Sequence, residues 1–250
     1  MNQRPGGFSV LPEVIKNLMI INALFFVANY IMLATTNNQT NLNDLLGLYN
    51  PSSPHFRPYQ IVTHMFMHSS QDIFHLAFNM FSLWMFGSAL ENYWGGKRFL
   101  IYYMLSGIGA GLLYTLFNYI QATFFIGPDL IEIYGISEKG LNEMVQSGNN
   151  WSETPLLASY LGSINRGMVG ASGAIYGILM AFGMMFSESK IHLYFLIPIK
   201  AKYFVAGLGA IQLLNAIQND PNNNIAHVAH LSGMLIGYIL IKYWQQKNKR

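Results

Sequence analysis

The feature that most constrains this chain is a series of apolar runs approaching the roughly 20 residues that a helix needs to cross a bilayer. They fall at residues 18–33, 72–94, 99–123, 172–186, 203–217 and 225–244, the fifth following an expected hinge at Ile197-Pro-Ile-Lys-Ala-Lys202. The sequence is 52% hydrophobic and only 10% charged, unlike a soluble enzyme of 250 residues. The expected fold is therefore an all-α polytopic membrane protein, a six-transmembrane-helix bundle with a short fourth helix. No small-residue cleavage site follows the first run, which continues from Ala34 into Thr-Thr-Asn-Asn, so it reads as an uncleaved span rather than a signal peptide. No repeat and no second domain is apparent.

Charge sets the topology. Six spans put both ends on one side of the membrane. With those ends cytoplasmic, the inner segments hold Arg4, Lys16, Lys97, Arg98, Lys190, Lys200, Lys202, Lys242, Lys247, Lys249 and Arg250, against Arg57, Lys139 and Arg166 outside. That imbalance follows the positive-inside rule, and it accounts for the net charge of +3 as topology rather than nucleic-acid binding. The divisions expected are a cytoplasmic segment 1–16, a membrane domain 17–244 and a basic cytoplasmic tail 245–250. Within the membrane domain, residues 123–167 form a connection too long for a passive turn. Leu157, Leu161 and Ile164 recur there at helical spacing beside Trp151, which predicts a short interfacial helix.

Polar groups within these spans point to a site. The fourth run is only about 22 Å long at a helical rise of about 1.5 Å per residue, against a hydrocarbon core of about 30 Å. If its inner end sits at the cytoplasmic boundary, Ser172 lies on the order of 8 Å below the outer surface. His230 in the sixth run reaches a similar depth of about 8 Å, and His75 and Asn79 in the second run lie at about 5 and 10 Å. Polar side chains at such depth are expensive unless they line a cavity or serve one another. Ser172 opens its run within Gly167-Met-Val-Gly170-Ala-Ser172-Gly173-Ala-Ile-Tyr176-Gly177. A serine hydroxyl becomes nucleophilic when a neighbouring base takes its proton, and the segment Asn224-Ile-Ala-His227-Val-Ala-His230-Leu-Ser-Gly233-Met-Leu-Ile-Gly237 supplies two candidate bases. Gly173 with Gly177, and Gly233 with Gly237, form small-x-x-x-small faces that allow two helix backbones to approach closely.

These two segments resemble the rhomboid family of intramembrane serine proteases. The nucleophile motif Gly-x-Ser-Gly corresponds to Gly170-Ala-Ser172-Gly173, and His-x-x-Gly-x-x-x-Gly corresponds to His230, Gly233 and Gly237, selecting His230 over His227. The resemblance covers about residues 56–243. It implies a rhomboid-like six-helix bundle and a serine-type endopeptidase acting through a Ser172–His230 dyad; no carboxylate is spaced to complete a triad. It assigns oxyanion stabilisation to His75 and Asn79 with the Ser172 N–H, and it packs Tyr176 against the catalytic imidazole. Its implied partners are transmembrane protein substrates with helix-weakening residues, cut near the outer face, together with membrane lipid. The implied location is a bacterial plasma (inner) membrane with the active site opening outward. No cofactor is implied.

Two departures stand out: Phe56-Arg57 replaces a Trp-Arg, and the connection before Ser172 is longer than in compact bacterial members. The alternatives are a catalytically silent rhomboid-like protein that holds membrane clients, or a small transporter. Cysteine is absent, which removes thiolate chemistry. His64 and His68 stand four apart like metal ligands but lack a third and fourth ligand, so they read as polar packing or water-holding groups. Glu91 reads as a hydrogen-bonding group at the inner boundary, and His227 as facing the outer mouth.

Overall fold

The structure, a computed structural model, describes residues 8–37, 39–70, 72–148, 152–193, 197–217 and 224–247. The chain is mostly helical. Its elements in order are α1 Glu13–Thr35, α2 Leu42–Leu46, α3 Gln60–Thr63, α4 Ile73–Trp94, α5 Gly96–Gln121, α6 Gly127–Tyr134, α7 Glu138–Gln146, α8 Pro155–Asn165, α9 Ser172–Met185, strands β1 Lys190–Leu193 and β2 Ile197–Lys200, α10 Ala201–Ile217 and α11 Asn224–Lys247.

Helices stand at all six expected apolar runs, as α1, α4, α5, α9, α10 and α11. Among the described residues, α1, α4 and the continuous helix Gly96–Tyr134 are long and apolar enough to cross a membrane; α9 and α10 are shorter apolar helices. A backbone in hydrocarbon has no water to bond with, so the helix is the form these runs must take. Phe74, Phe78, Leu24 and Tyr30 on α4 and α1 are each more than 60% exposed, as lipid-facing side chains would be.

The core sits where α4, α5, α9 and α11 meet, around Leu83, Phe86, Tyr102, Ile175 and Ile178. Its tightest seam joins α9 to α11. A Cβ built on Gly233 would stand 2.0 Å from the Gly173 carbonyl oxygen, and one on Gly237 would stand 2.9 Å from Gly177 Cα. The Tyr102 hydroxyl of α5 donates to the Gly177 carbonyl at 2.7 Å, fastening the third helix to this seam. At the other end of the fold, Glu91 accepts the Val14 and Ile15 amides at 3.0 and 2.9 Å. It thereby satisfies first-turn donors of α1 that the Pro12 cap leaves open. Glu91 is thus the hydrogen-bonding group expected from the sequence.

Three local expectations need revision. The third span does not end near Thr123: α5 passes through a π-turn, Ala122–Ile126, straight into α6. The polar composition beyond 123 concealed this because the apolar positions there face a second small core. Ala122, Ile126, Leu130, Leu141, Val145, Tyr160, Leu161 and Ile164 bury one another, so the described residues of this connection form a packed helical subdomain. Its predicted helix is present as α8, although Trp151 lies outside the described residues. The segment 197–202, expected as a hinge, is strand β2 running into α10. It pairs antiparallel with β1 in the register Lys190↔Lys200 and Ile191↔Ile199. Glu188 bridges both Lys200 and Lys202 at the base of this ribbon, with Lys200 at 2.7 Å.

Candidate active site

Ser172 is the first residue of α9, and the chain that delivers it is held from two sides. Leu48 and Met168 exchange both backbone hydrogen bonds at 2.8 Å, and the Gly170 amide donates to the His64 carbonyl at 2.9 Å. Gly170 has φ +129°, a conformation that side chains rarely adopt. A Cβ there would lie 3.4 Å from His75 Cε1 and 3.6 Å from Ser172 Oγ, so the bare backbone of Gly170 borders both groups. The glycine of the motif therefore lets the serine turn and His75 come together. The first intrahelical bond of α9 runs from the Ile175 amide to the Ala171 carbonyl. The amides of Ser172, Gly173 and Ala174 precede it and have no intrahelical acceptor, as at any helix start.

His230 arrives from α11 across the glycine seam. Its ring lies flat on Tyr176, with centroids 4.1 Å apart and planes 11° from parallel. Tyr176 stands one turn beyond Ser172 on the same face of α9, so this stack brings the imidazole beside the serine's helix face. Gly173 and Gly233 make the approach possible; at Gly173 the nearest obstacle to a side chain is Ala110 Cβ of α5, at 2.8 Å.

His75 and Asn79 project from α4. The Asp72 carboxylate caps that helix, accepting the Phe74 and His75 amides. Asn79 is nearly buried and its Nδ2 donates to the His75 carbonyl at 2.8 Å. In this conformation the amide is thus engaged by its own helix. The His68 ring leans on His75 with centroids 5.2 Å apart. His64 and His68 are fully buried in the connection between α1 and α4, and burial holds both imidazoles down at about 4. His64 Nδ1 pairs with the Gln60 carbonyl at 2.9 Å, and its ring fills the space left by Gly111 of α5. Among the described residues, no group of three or more His, Asp or Glu side chains is arranged to hold a metal ion.

One member of the cluster was missed by sequence reasoning. Gln212 of α10 is nearly buried and faces Tyr176, His227 and His230 at once. Its only sequence signal is an amide, one of two with Asn215, within an otherwise apolar run, which intramembrane cost makes noteworthy. His227, in the first turn of α11, likewise turns toward Gln212 at 2.6 Å.

Comparison with known proteins places the sequence in a family. A family model described as the Rhomboid domain matches residues 55–246. The chain is 26% identical to Rhomboid protein 1, mitochondrial, of Saccharomyces cerevisiae over 68% of its own length and 38% of the relative's. It is 28% identical to RHOMBOID-like protein 12, mitochondrial, of Arabidopsis thaliana over 91% of its length and 57% of the relative's. Rhomboid protease AarA of Providencia stuartii is 28% identical over 70% of this chain and 52% of its own. The chain thus spans between about two fifths and three fifths of the length of these relatives. With a family match over most of its residues, and with both the serine turn and the histidine helix inside it, the chain belongs to the rhomboid family, whose helices here are those of an integral membrane protein.

Proposed function

We propose that this protein is an intramembrane serine endopeptidase that hydrolyses a peptide bond of transmembrane protein substrates near the outer membrane face. The observation that carries the reading is the flat stack of His230 on Tyr176, one helical turn from Ser172. In the proposed reaction, His230 Nε2 takes the Ser172 Oγ proton as Oγ attacks the peptide carbonyl carbon. The carbonyl oxygen becomes an oxyanion. His75, Asn79 and the Ser172 amide supply donors for it. Collapse of this intermediate breaks the C–N bond, and the departing nitrogen takes the proton from His230. Water then attacks the acyl ester, giving its proton to His230, which returns it to Ser172 Oγ as the carboxylic product leaves.

The six apolar helices α1, α4, α5, α9, α10 and α11 cross the membrane in this reading, the termini and tail are cytoplasmic, and the subdomain around α6, α7 and α8 lies outside. The charge distribution supports that orientation. The short α9 supports a submerged nucleophile, because 14 residues rise only about 21 Å. The membrane in this reading is a bacterial plasma (inner) membrane, one relative coming from the bacterium Providencia stuartii, while two other relatives are mitochondrial by name.

The reading is tested with the purified protein in liposomes and a model transmembrane substrate of weak helicity, analysed by mass spectrometry of the fragments. A single cut near the outer boundary, lost in Ser172→Ala, is expected. An intact substrate, or cutting that persists in Ser172→Ala, would overturn it.

A further inference from the structure

Gln212 belongs to α10, whereas Tyr176 belongs to α9 and both histidines to α11. Its Nε2 donates to the Tyr176 hydroxyl at 2.8 Å. Its Oε1 lies 3.0 Å from His230 Nδ1 and 2.6 Å from His227 Nδ1. The amide oxygen has two lone pairs and can accept from both rings, while a neutral imidazole carries one donor and one acceptor. Which ring nitrogen holds the proton is set by the partner of the other.

We propose that Gln212 is the positioning residue of His230: its amide oxygen holds the imidazole in the Nδ1–H tautomer and so leaves the Nε2 lone pair for the Ser172 proton. This rests on the proteolytic reading above and extends it from a dyad to a relay of three helices. In the reverse amide orientation the NH₂ would face both Nδ1 atoms and make them acceptors. His230 would then carry its proton on Nε2, where it has no lone pair with which to take one from serine. During acylation the Ser172 proton moves to Nε2 and the Nδ1–H stays on Gln212, so the imidazolium is met by an acceptor already in place. A neutral amide does this without adding a second intramembrane charge, the costly alternative had a carboxylate stood there. The donor side of the same amide grips Tyr176, so the ring that stacks on His230 and the atom that orients it are fixed by one side chain.

The test uses the full chain in detergent, with three readouts. In ¹⁵N-histidine-labelled wild type, His230, assigned by its loss in His230→Ala, is expected to show a protonated Nδ1 and an unprotonated Nε2. Gln212→Leu is expected to mix the two tautomers and lower kcat by about 10- to 100-fold, as loss of an outer-shell orienting partner does, with KM little changed. Gln212→Glu keeps an acceptor and is expected to recover kcat relative to the leucine variant. Wild-type kcat in a folded Gln212→Leu protein, with Ser172→Ala inactive, would overturn the proposal while leaving the protease reading intact. If Gln212→Leu does not fold, or if no Ser172-dependent cleavage is found at all, the wild-type spectrum decides alone: Nδ1–H supports the Gln212 contact, and Nε2–H overturns it.

Discussion

Replacing Gly233 by alanine probes the seam on which the whole site depends. The added Cβ would lie 2.0 Å from the Gly173 carbonyl oxygen and 2.9 Å from its carbonyl carbon. Real Cβ contacts essentially never fall below 3.0 Å and are ordinary from 3.4 Å, so α9 and α11 must part by about 1.0–1.4 Å. The obstacle is backbone, and no rotamer change can relieve it. His230 stands three residues before Gly233 and moves with it, away from the helix that carries Ser172. A misplacement of about 1 Å costs on the order of 10²-fold in rate, and overpacking costs about 1–3 kcal/mol in stability. The assay is cleavage of a transmembrane substrate in detergent with thermal unfolding alongside. Gly207→Ala is the control, because nothing lies within 4 Å of a Cβ there and alanine is the better helix former. Wild-type kcat and Tm in Gly233→Ala would refute the argument that close backbone approach brings serine and histidine together.

Other expectations concern the roles of single groups. His230→Ala is expected to abolish cleavage in a folded protein while His227→Ala retains it; the opposite pattern would reassign the base. Asn79→Ala or His75→Ala is expected to reduce kcat with little change in KM, by roughly 1–3 kcal/mol of transition-state stabilisation, at or below the range for a single oxyanion donor. A pure KM effect in a stable Asn79→Ala protein would place that residue in substrate binding instead. For His64 and His68, the folded value of about 4 lies below the ordinary 6.5. The unfolded chain therefore binds protons first, and stability present above pH 6.5 is lost as pH falls through about 4. Tm measured across that window should fall, less so in His64→Asn, and an unchanged slope would contradict the burial argument.

The membrane helices and the serine and histidine motifs were legible because their signals are local. Apolar length marks the spans, and glycine spacing marks where backbones meet. What escaped the sequence depends on contacts between distant segments. The subdomain after α5 hides in a polar-looking stretch because the apolar faces of α6 and α7 are too small to register alone, and only their burial against the legible α8 makes a core. The grip of Leu48 on Met168 and of the His64 carbonyl on the Gly170 amide uses backbone atoms, which carry no residue signature. Gln212 was invisible for a related reason: of the two amides in its apolar run, Gln212 and Asn215, nothing local marks the one whose meaning comes from Tyr176, His227 and His230 on two other helices. The hinge expected at 197–202 is instead strand β2 running into α10, because a four-residue strand has no periodicity to read.

The central claim is that Ser172 is an activated nucleophile. It is tested most directly by treating the folded protein in detergent with a serine-reactive fluorophosphonate and locating the adduct by peptide mass spectrometry. One adduct is expected, on Ser172, absent in Ser172→Ala and strongly slowed in His230→Ala. No labelling, an adduct on another residue, or labelling indifferent to His230 would contradict it.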